Sequence, residues 1–111
     1  MALLQESVAA ATAVVGYDVL RDNLLAVAQY SRRLVAGGLA GSAAALDTIV
    51  DLYVGAVFVA RMYNSATGAV LVDAHMYTMR NITVPAGVRL QAKVVDAPAS
   101  NVLNMSLETD P

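Results

Sequence analysis

The chain contains no cysteine, no tryptophan and only one histidine. The missing cysteine excludes disulfide bonds, thiolate metal sites and a cysteine nucleophile. A histidine-based metal site or catalytic triad needs several converging groups, and a single histidine cannot supply them. We therefore expect no enzymatic activity, no metal and no cofactor, and we interpret His75 as a surface or interface residue beside Asp73.

Charged residues are also scarce. They make up 14% of the chain and apolar residues 58%, against about 25% and about 45–50% in average domains. Seven basic residues are scattered among nine acidic ones, so we expect no nucleic acid to bind, because affinity for phosphates scales with basic contacts. A chain of 111 residues is predicted to form one domain, residues 1–111, and its excess apolar side chains need cover from a membrane or from other subunits.

Long apolar runs are missing as well. A membrane-spanning helix needs roughly 18 or more apolar residues, and the longest uncharged run, Leu34 to Leu46, is shorter and rich in glycine and alanine. We therefore favour burial in contacts between protein subunits. Contact of Leu34–Leu46 with lipid is the alternative.

Two segments near the C-terminus show the alternation of apolar and polar residues that is typical of strands. In one, Val88, Leu90, Ala92 and Val94 alternate with Arg89, Gln91 and Lys93; in the other, Leu103, Met105 and Leu107 alternate with Asn104, Ser106 and Glu108. Each strand is predicted to bury one face and to expose the other. Turn residues separate the predicted strands at Asn64–Gly68, Val84–Gly87 and Asp96–Asn101.

Residues 50–63 are predicted to form one long strand that is apolar on both faces. Such a strand is covered on both sides, either by a second subunit or by the N-terminal segment of the same chain. Under the first interpretation, the subunit interface consists of side chains on one face: Tyr53, Val57, Val59 and Tyr63.

Residues 1–46 allow two interpretations. A helical stripe is present in Asp18–Val35, and Ser42 could cap a second helix that runs to Val50. Against this, the glycines at 37, 38 and 41 fit turns or bulges better than a helix. We predict a mainly β protein, a small antiparallel β-sandwich that could take the form of a jelly roll. Residues 47–111 supply its strands, and the N-terminal region contributes further strands or one short helix. The alternative is an α+β fold with one or two N-terminal helices on an antiparallel sheet.

Two carboxylates offer a candidate cation site. Asp47 and Asp51 are four residues apart and could share a face. Calcium takes about 6–8 oxygen ligands, so we favour solvated charges over a site. A calcium ion shared across a subunit interface is the alternative.

From Leu34 onward the chain resembles small virion proteins of phages and archaeal viruses, which build or decorate capsids with sandwich or jelly-roll domains. The residues that carry the resemblance are the Ala40-Gly41-Ser42 turn, Asp47–Gly55, the Asn64–Gly68 loop, the Val84-Pro85-Ala86-Gly87 turn and the Val102–Glu108 strand. The resemblance implies a structural protein located in the virion, whose partners are copies of itself and other capsid proteins. A carbohydrate- or peptide-binding module that uses loops at one end of the sandwich is the alternative function.

Overall fold

The computed structural model describes residues 2–41, 48–64, 77–98 and 102–110. They form two antiparallel sheets whose inner faces share one cluster of buried side chains. The strands are β1 (Ala2–Val8), β2 (Arg32–Gly41), β3 (Ile49–Val54), β4 (Val57–Tyr63), β5 (Tyr77–Val84), β6 (Leu90–Asp96) and β7 (Leu103–Asp110). The predicted antiparallel β-sandwich is thus confirmed.

The seven strands of the described residues form one four-stranded and one three-stranded sheet. The first sheet has the order β1-β7-β2-β5 and the second β4-β3-β6. Residues 16–19 run beside β6 without forming a strand: the amides of Gly16 and Val19 donate to the carbonyls of Val94 and Ala92 at 2.8 and 2.7 Å, and Asp18 forms an isolated bridge with Lys93.

The core between the sheets consists of aliphatic side chains from all parts of the chain. The largest fully buried ones are Leu4, Leu20, Leu34, Leu39, Leu52, Met62, Leu90, Leu103, Met105, Leu107, Val50 and Val84. In β6 the predicted alternation is confirmed, since Leu90, Ala92 and Val94 are buried while Lys93 is exposed. The Val84–Gly87 turn is also confirmed, with Gly87 at a φ of +77°.

The predicted long strand from Val50 to Tyr63 is wrong. The chain reverses at Gly55 and Ala56, and β3 and β4 form a hairpin. Gly55 has a φ of +61°, a conformation that costs other residues steric strain. The apolar run continues through residues 55 and 56, so the composition of this segment does not indicate a turn. The feature of the sequence that does indicate the turn is Gly55, because a glycine inside an apparent strand often marks a bend.

The helices allowed for the N-terminal part are absent from the described residues. Between residues 2 and 41, the only helical segment is a 3₁₀ turn at Leu24–Ala26. Val50 lies in β3, so no helix runs from Ser42 to Val50; residues 42–47 lie outside the described part of the chain. Leu34 and Leu39 are fully buried, so this part of the proposed lipid-contacting run is instead the centre of the sandwich.

The polar side chains of β7 do not face solvent as the alternation predicted. Asn104 and Ser106 are buried, because β7 lies between β1 and β2 in the middle of the first sheet. The hydroxyl of Ser7 donates to Asn104, and the amide of Gln5 donates to the Ser106 hydroxyl at 3.3 Å. The two alternating strands also lie in different sheets, because β6 belongs to the second sheet and β7 to the first.

Asn64 joins the two sheets at one corner of the sandwich. It follows β4 directly, and it pairs with Leu39 of β2. Its Nδ2 donates to the carbonyl of Gly41 at 3.0 Å, and its Oδ1 accepts from the amide of Thr48 at 2.8 Å. Because Asn64 is fully buried, this side chain satisfies backbone groups that water cannot reach.

Candidate functional site

The second sheet presents a surface of aromatic and charged side chains that points away from the core. We call this surface the outer face. Cross-strand pairing arranges it in three rows: Tyr63, Ile49 and Asp96; Arg61, Asp51 and Lys93; Phe58, Tyr53 and Gln91. The first residue of each row lies on β4, the second on β3 and the third on β6.

The middle row is held by an ion pair. Arg61 donates from Nε to Oδ1 of Asp51 at 2.7 Å and from Nη2 to Oδ2 at 3.1 Å. The hydrogen bonds and charge of Asp51 raise the pKa of Arg61 above its ordinary value, so the guanidinium stays charged. Although Asp51 points outward, it is buried. The predicted solvated charge is therefore wrong for Asp51, whose two oxygens both accept from Arg61. Asp47, the other carboxylate of the candidate cation site, lies outside the described residues.

The aromatic row packs in a fixed geometry. The rings of Tyr53 and Phe58 meet edge to face, with centroids 5.9 Å apart and an interplanar angle of 70°. The Nζ of Lys93 lies 5.1 Å from the centroid of the Tyr53 ring, within range of a cation–π interaction. Phe58 and Tyr63 both remain largely exposed. Ordered, exposed aromatic side chains of this kind are enriched where proteins meet.

The four residues predicted as a subunit interface do not share one face. Tyr53 and Tyr63 lie on the outer face, whereas Val57 lies in a row that faces the core, at the tip of the hairpin. Val59 occupies a bulge in the pairing of β3 with β4 and packs against the core. The turn at Gly55 and this bulge change the register, so alternation counted through residue 63 misplaces the two valines.

Sequence reasoning missed Phe58 and Arg61 as parts of the same surface. Alternation along one uninterrupted strand would place Phe58 and Arg61 on opposite faces, but the bulge brings their side chains to the same side of the sheet. The alternation in β6 predicts that Lys93 faces solvent, and the pairing of β3 with β6 places it in the same row as Asp51. If a turn is assigned at Gly55, residues 49–54 and 57–63 pair as a hairpin, and the side chains on its outward side can be identified.

Other predicted positions lie outside the described residues, namely His75, Asp73 and Asp47. Within the described ranges, no group of three histidine, cysteine or acidic residues is placed to hold a metal ion. The same ranges contain no helix long and apolar enough to cross a membrane. No family model, curated protein or solved structure matches the chain.

We expect Asp51→Asn to destabilise the protein by breaking the ion pair of the outer face. The neutral amide cannot balance the charges of Arg61 and Lys93, which flank position 51 on both sides. Urea unfolding should show a lower midpoint for Asp51→Asn than for Asp96→Asn, which changes an exposed carboxylate of the same sheet.

A double-mutant cycle with Arg61→Gln isolates the pair itself. The double variant should lose less stability than the two single variants together, because the second substitution removes an interaction that the first has already broken. If the stability losses of the two single variants added up to the loss of the double variant, Asp51 and Arg61 would not stabilise each other.

Proposed function

We propose that the protein is a non-enzymatic structural component of a virus particle and that its copies associate through the outer face. Two features support this proposal. If residues 16–19 are counted beside β6, the order of the strands follows that of a jelly roll. Jelly rolls occur in viral capsid domains and also in lectins, and one fold hosts unrelated functions. The more specific support is therefore the outer face, which carries exposed aromatic side chains in a chain with few charges.

The composition of the outer face suits a protein contact. Phenylalanine, tyrosine and arginine are enriched at interfaces and dominate their binding energy. The ion pair of Asp51 with Arg61 is already formed in the single chain, so association need not leave the carboxylate of Asp51 buried and unpaired, which would be costly. A second copy can cover Tyr53, Phe58 and Tyr63 without leaving that charge unbalanced.

The mass of the protein in solution tests this proposal. We expect assemblies larger than one chain at micromolar concentration, measured by light scattering after size-exclusion chromatography. Tyr63→Ser should weaken association by about tenfold or more, as truncation of an interface aromatic commonly does. Tyr30→Ser is the matched control: Tyr30 is 49% exposed and Tyr63 42%, but Tyr30 lies in the loop before β2, which belongs to the first sheet.

Two results would contradict the proposal. One is a stable monomer at the highest soluble concentration, and the other is equal weakening by Tyr30→Ser and Tyr63→Ser. A monomer that binds a glycan or peptide, and loses binding in Phe58→Ser, would instead favour the binding-module alternative. Co-purification of the protein with virus particles tests its location in the virion.

A further inference from the structure

The first sheet ends at β1, which has a neighbouring strand on one side only. β1 lies at one edge of the order β1-β7-β2-β5, and all seven of its residues pair with β7. Apart from β7, the described residue that bonds to β1 is Asn23, whose Nδ2 donates to the carboxylate of Glu6 at 2.7 Å. Among the described residues, the backbone groups on the other side of β1 therefore have no strand to pair with.

The other three edges of the two sheets carry features that hinder the addition of a strand. β4 has a bulge at Val59 and the exposed charge of Arg61. The pairing of β5 with β2 shifts register between Thr78 and Ile82. β6 is bordered by residues 16–19, whose amides donate to its carbonyls. Bulges, charges and cover of this kind protect sheet edges in natural proteins.

β1 itself is a regular strand without these features. Its pairing with β7 continues over its whole length without a shift in register, and its sequence, ALLQESV, contains no proline, glycine or lysine. Buried Leu4 and Val8 alternate with exposed Gln5 and Ser7. A strand edge of this kind offers an uninterrupted row of backbone donors and acceptors to an added strand.

We propose that β1 pairs antiparallel with β1 of a second copy of the chain. Pairing around a two-fold axis at Gln5 would join the two four-stranded sheets into one continuous sheet. This register gives the longest ladder, because residues 2–8 of one copy face residues 8–2 of the other. Strand addition at a sheet edge is a common mode of protein recognition, and a two-fold contact uses the same surface of both copies. The proposal does not rest on the outer face, which belongs to the second sheet.

The charge and side chains of β1 are compatible with this pairing. Glu6 is the only charged residue of the strand, and in this register it faces Leu4 of the second copy. A ladder centred on Glu6 would be shorter and would place two carboxylates opposite each other, which destabilises a strand pair. At the axis, Gln5 faces Gln5, and each amide can both donate and accept. The strand therefore suits a second copy of itself as its partner.

A disulfide tests both the contact and its register. The chain has no cysteine, so a single introduced thiol can form a disulfide only with another copy. In Gln5→Cys the two Cβ atoms would lie about 4.5–5.5 Å apart, near the span of a disulfide. We expect a linked dimer after mild oxidation at micromolar concentration, seen on a non-reducing gel.

Ser7→Cys is the matched control, because Ser7 is exposed on the same side of the same strand. In the proposed register its counterpart lies four residues further along the partner strand, about 13 Å away. Disulfides do not span that distance, so we expect Ser7→Cys to form about tenfold less linked dimer than Gln5→Cys. Circular dichroism should show the same strand content for both variants.

Charges at the axis provide a second test. Gln5→Lys and Gln5→Glu should each weaken self-association about fivefold at low salt, because like charges would meet across the axis. An equal mixture of the two variants should associate more strongly than either alone, since opposite charges then face each other. Sedimentation velocity measures all three samples.

Four results would overturn the proposal. These are no linked dimer in Gln5→Cys, equal linking of Gln5→Cys and Ser7→Cys, a mixture of the charged variants that associates no better than its components, or loss of the Gln5→Cys dimer when Tyr63→Ser is added. The last result would assign the contact to the outer face. A Gln5→Cys dimer that persists with Tyr63→Ser keeps the fate of this proposal separate from that of the outer face.

Discussion

Gly41→Ala is expected to prevent stable folding. Gly41 has a φ of +114°, and a Cβ built on it would lie 2.0 Å from the carbonyl oxygen of Val102. The obstacle is backbone, so no side-chain rotation relieves the clash, and strands β2 and β7 would have to separate where Gly41 pairs with Leu103. We expect a loss of about 4 kcal/mol or more, a large part of the stability of a small domain.

The measurement is urea unfolding followed by circular dichroism, with Gly16→Ala as the control. Gly16 also has a positive φ, +90°, but a Cβ added to it would meet nothing within 4 Å. Its substitution should show the backbone strain alone, about 1–2 kcal/mol. If the two variants were equally stable, the close approach of Gly41 to Val102 would not be a real constraint on the fold.

Asn64→Asp is expected to have the second large effect. The introduced carboxylate could still accept from the amide of Thr48, but it could not donate to the carbonyl of Gly41. It would place a buried negative charge against that carbonyl oxygen. Leaving a buried charge uncompensated costs about 3 kcal/mol or more, and we expect a loss of this size at neutral pH.

The loss should shrink in acid. Burial and the facing carbonyl favour the protonated acid, so the pKa of the introduced group in the folded state lies above its unfolded value of about 3.9. The folded variant therefore binds more protons than the unfolded one between these two values, and its stability falls as pH rises through that window. Below the window the protonated carboxyl can donate to Gly41 again.

The quantity to measure is the difference in unfolding free energy between wild type and variant at pH 7 and pH 4. Gln29→Glu makes the same chemical change at an exposed loop position and should stay within about 0.5 kcal/mol of wild type. A penalty for Asn64→Asp that is the same at both pH values would argue against the charge as its cause.

The parts of the fold that follow from local patterns could be predicted from the sequence. The alternation in β6 places Leu90, Ala92 and Val94 in the core because side chains on successive strand residues point to opposite faces. The turn at Pro85 and Gly87 follows from the dihedral preferences of those residues. Together these features were enough to predict that the protein is an antiparallel β-sandwich.

The parts that depend on partners distant in sequence could not be predicted. The burial of Asn104 and Ser106 follows from the position of β7 between two other strands, which no local pattern contains. The outer face depends on the bulge that brings Phe58 beside Tyr53. Likewise, the residues next to Arg32 in the sequence do not show that its buried guanidinium donates to the carbonyls of Leu25 and Ala26 in the 3₁₀ turn.

The position of β7 has a consequence for synthesis on the ribosome. The hydroxyl of Ser7 meets Asn104, 97 residues later, and β1 and β2 both pair with β7. Until β7 has left the exit tunnel, β1 and β2 lack their shared neighbour and the first sheet cannot be completed. Completion of the first sheet is therefore expected only after residues 103–110 have left the tunnel, at the slow rate typical of topologies dominated by distant contacts.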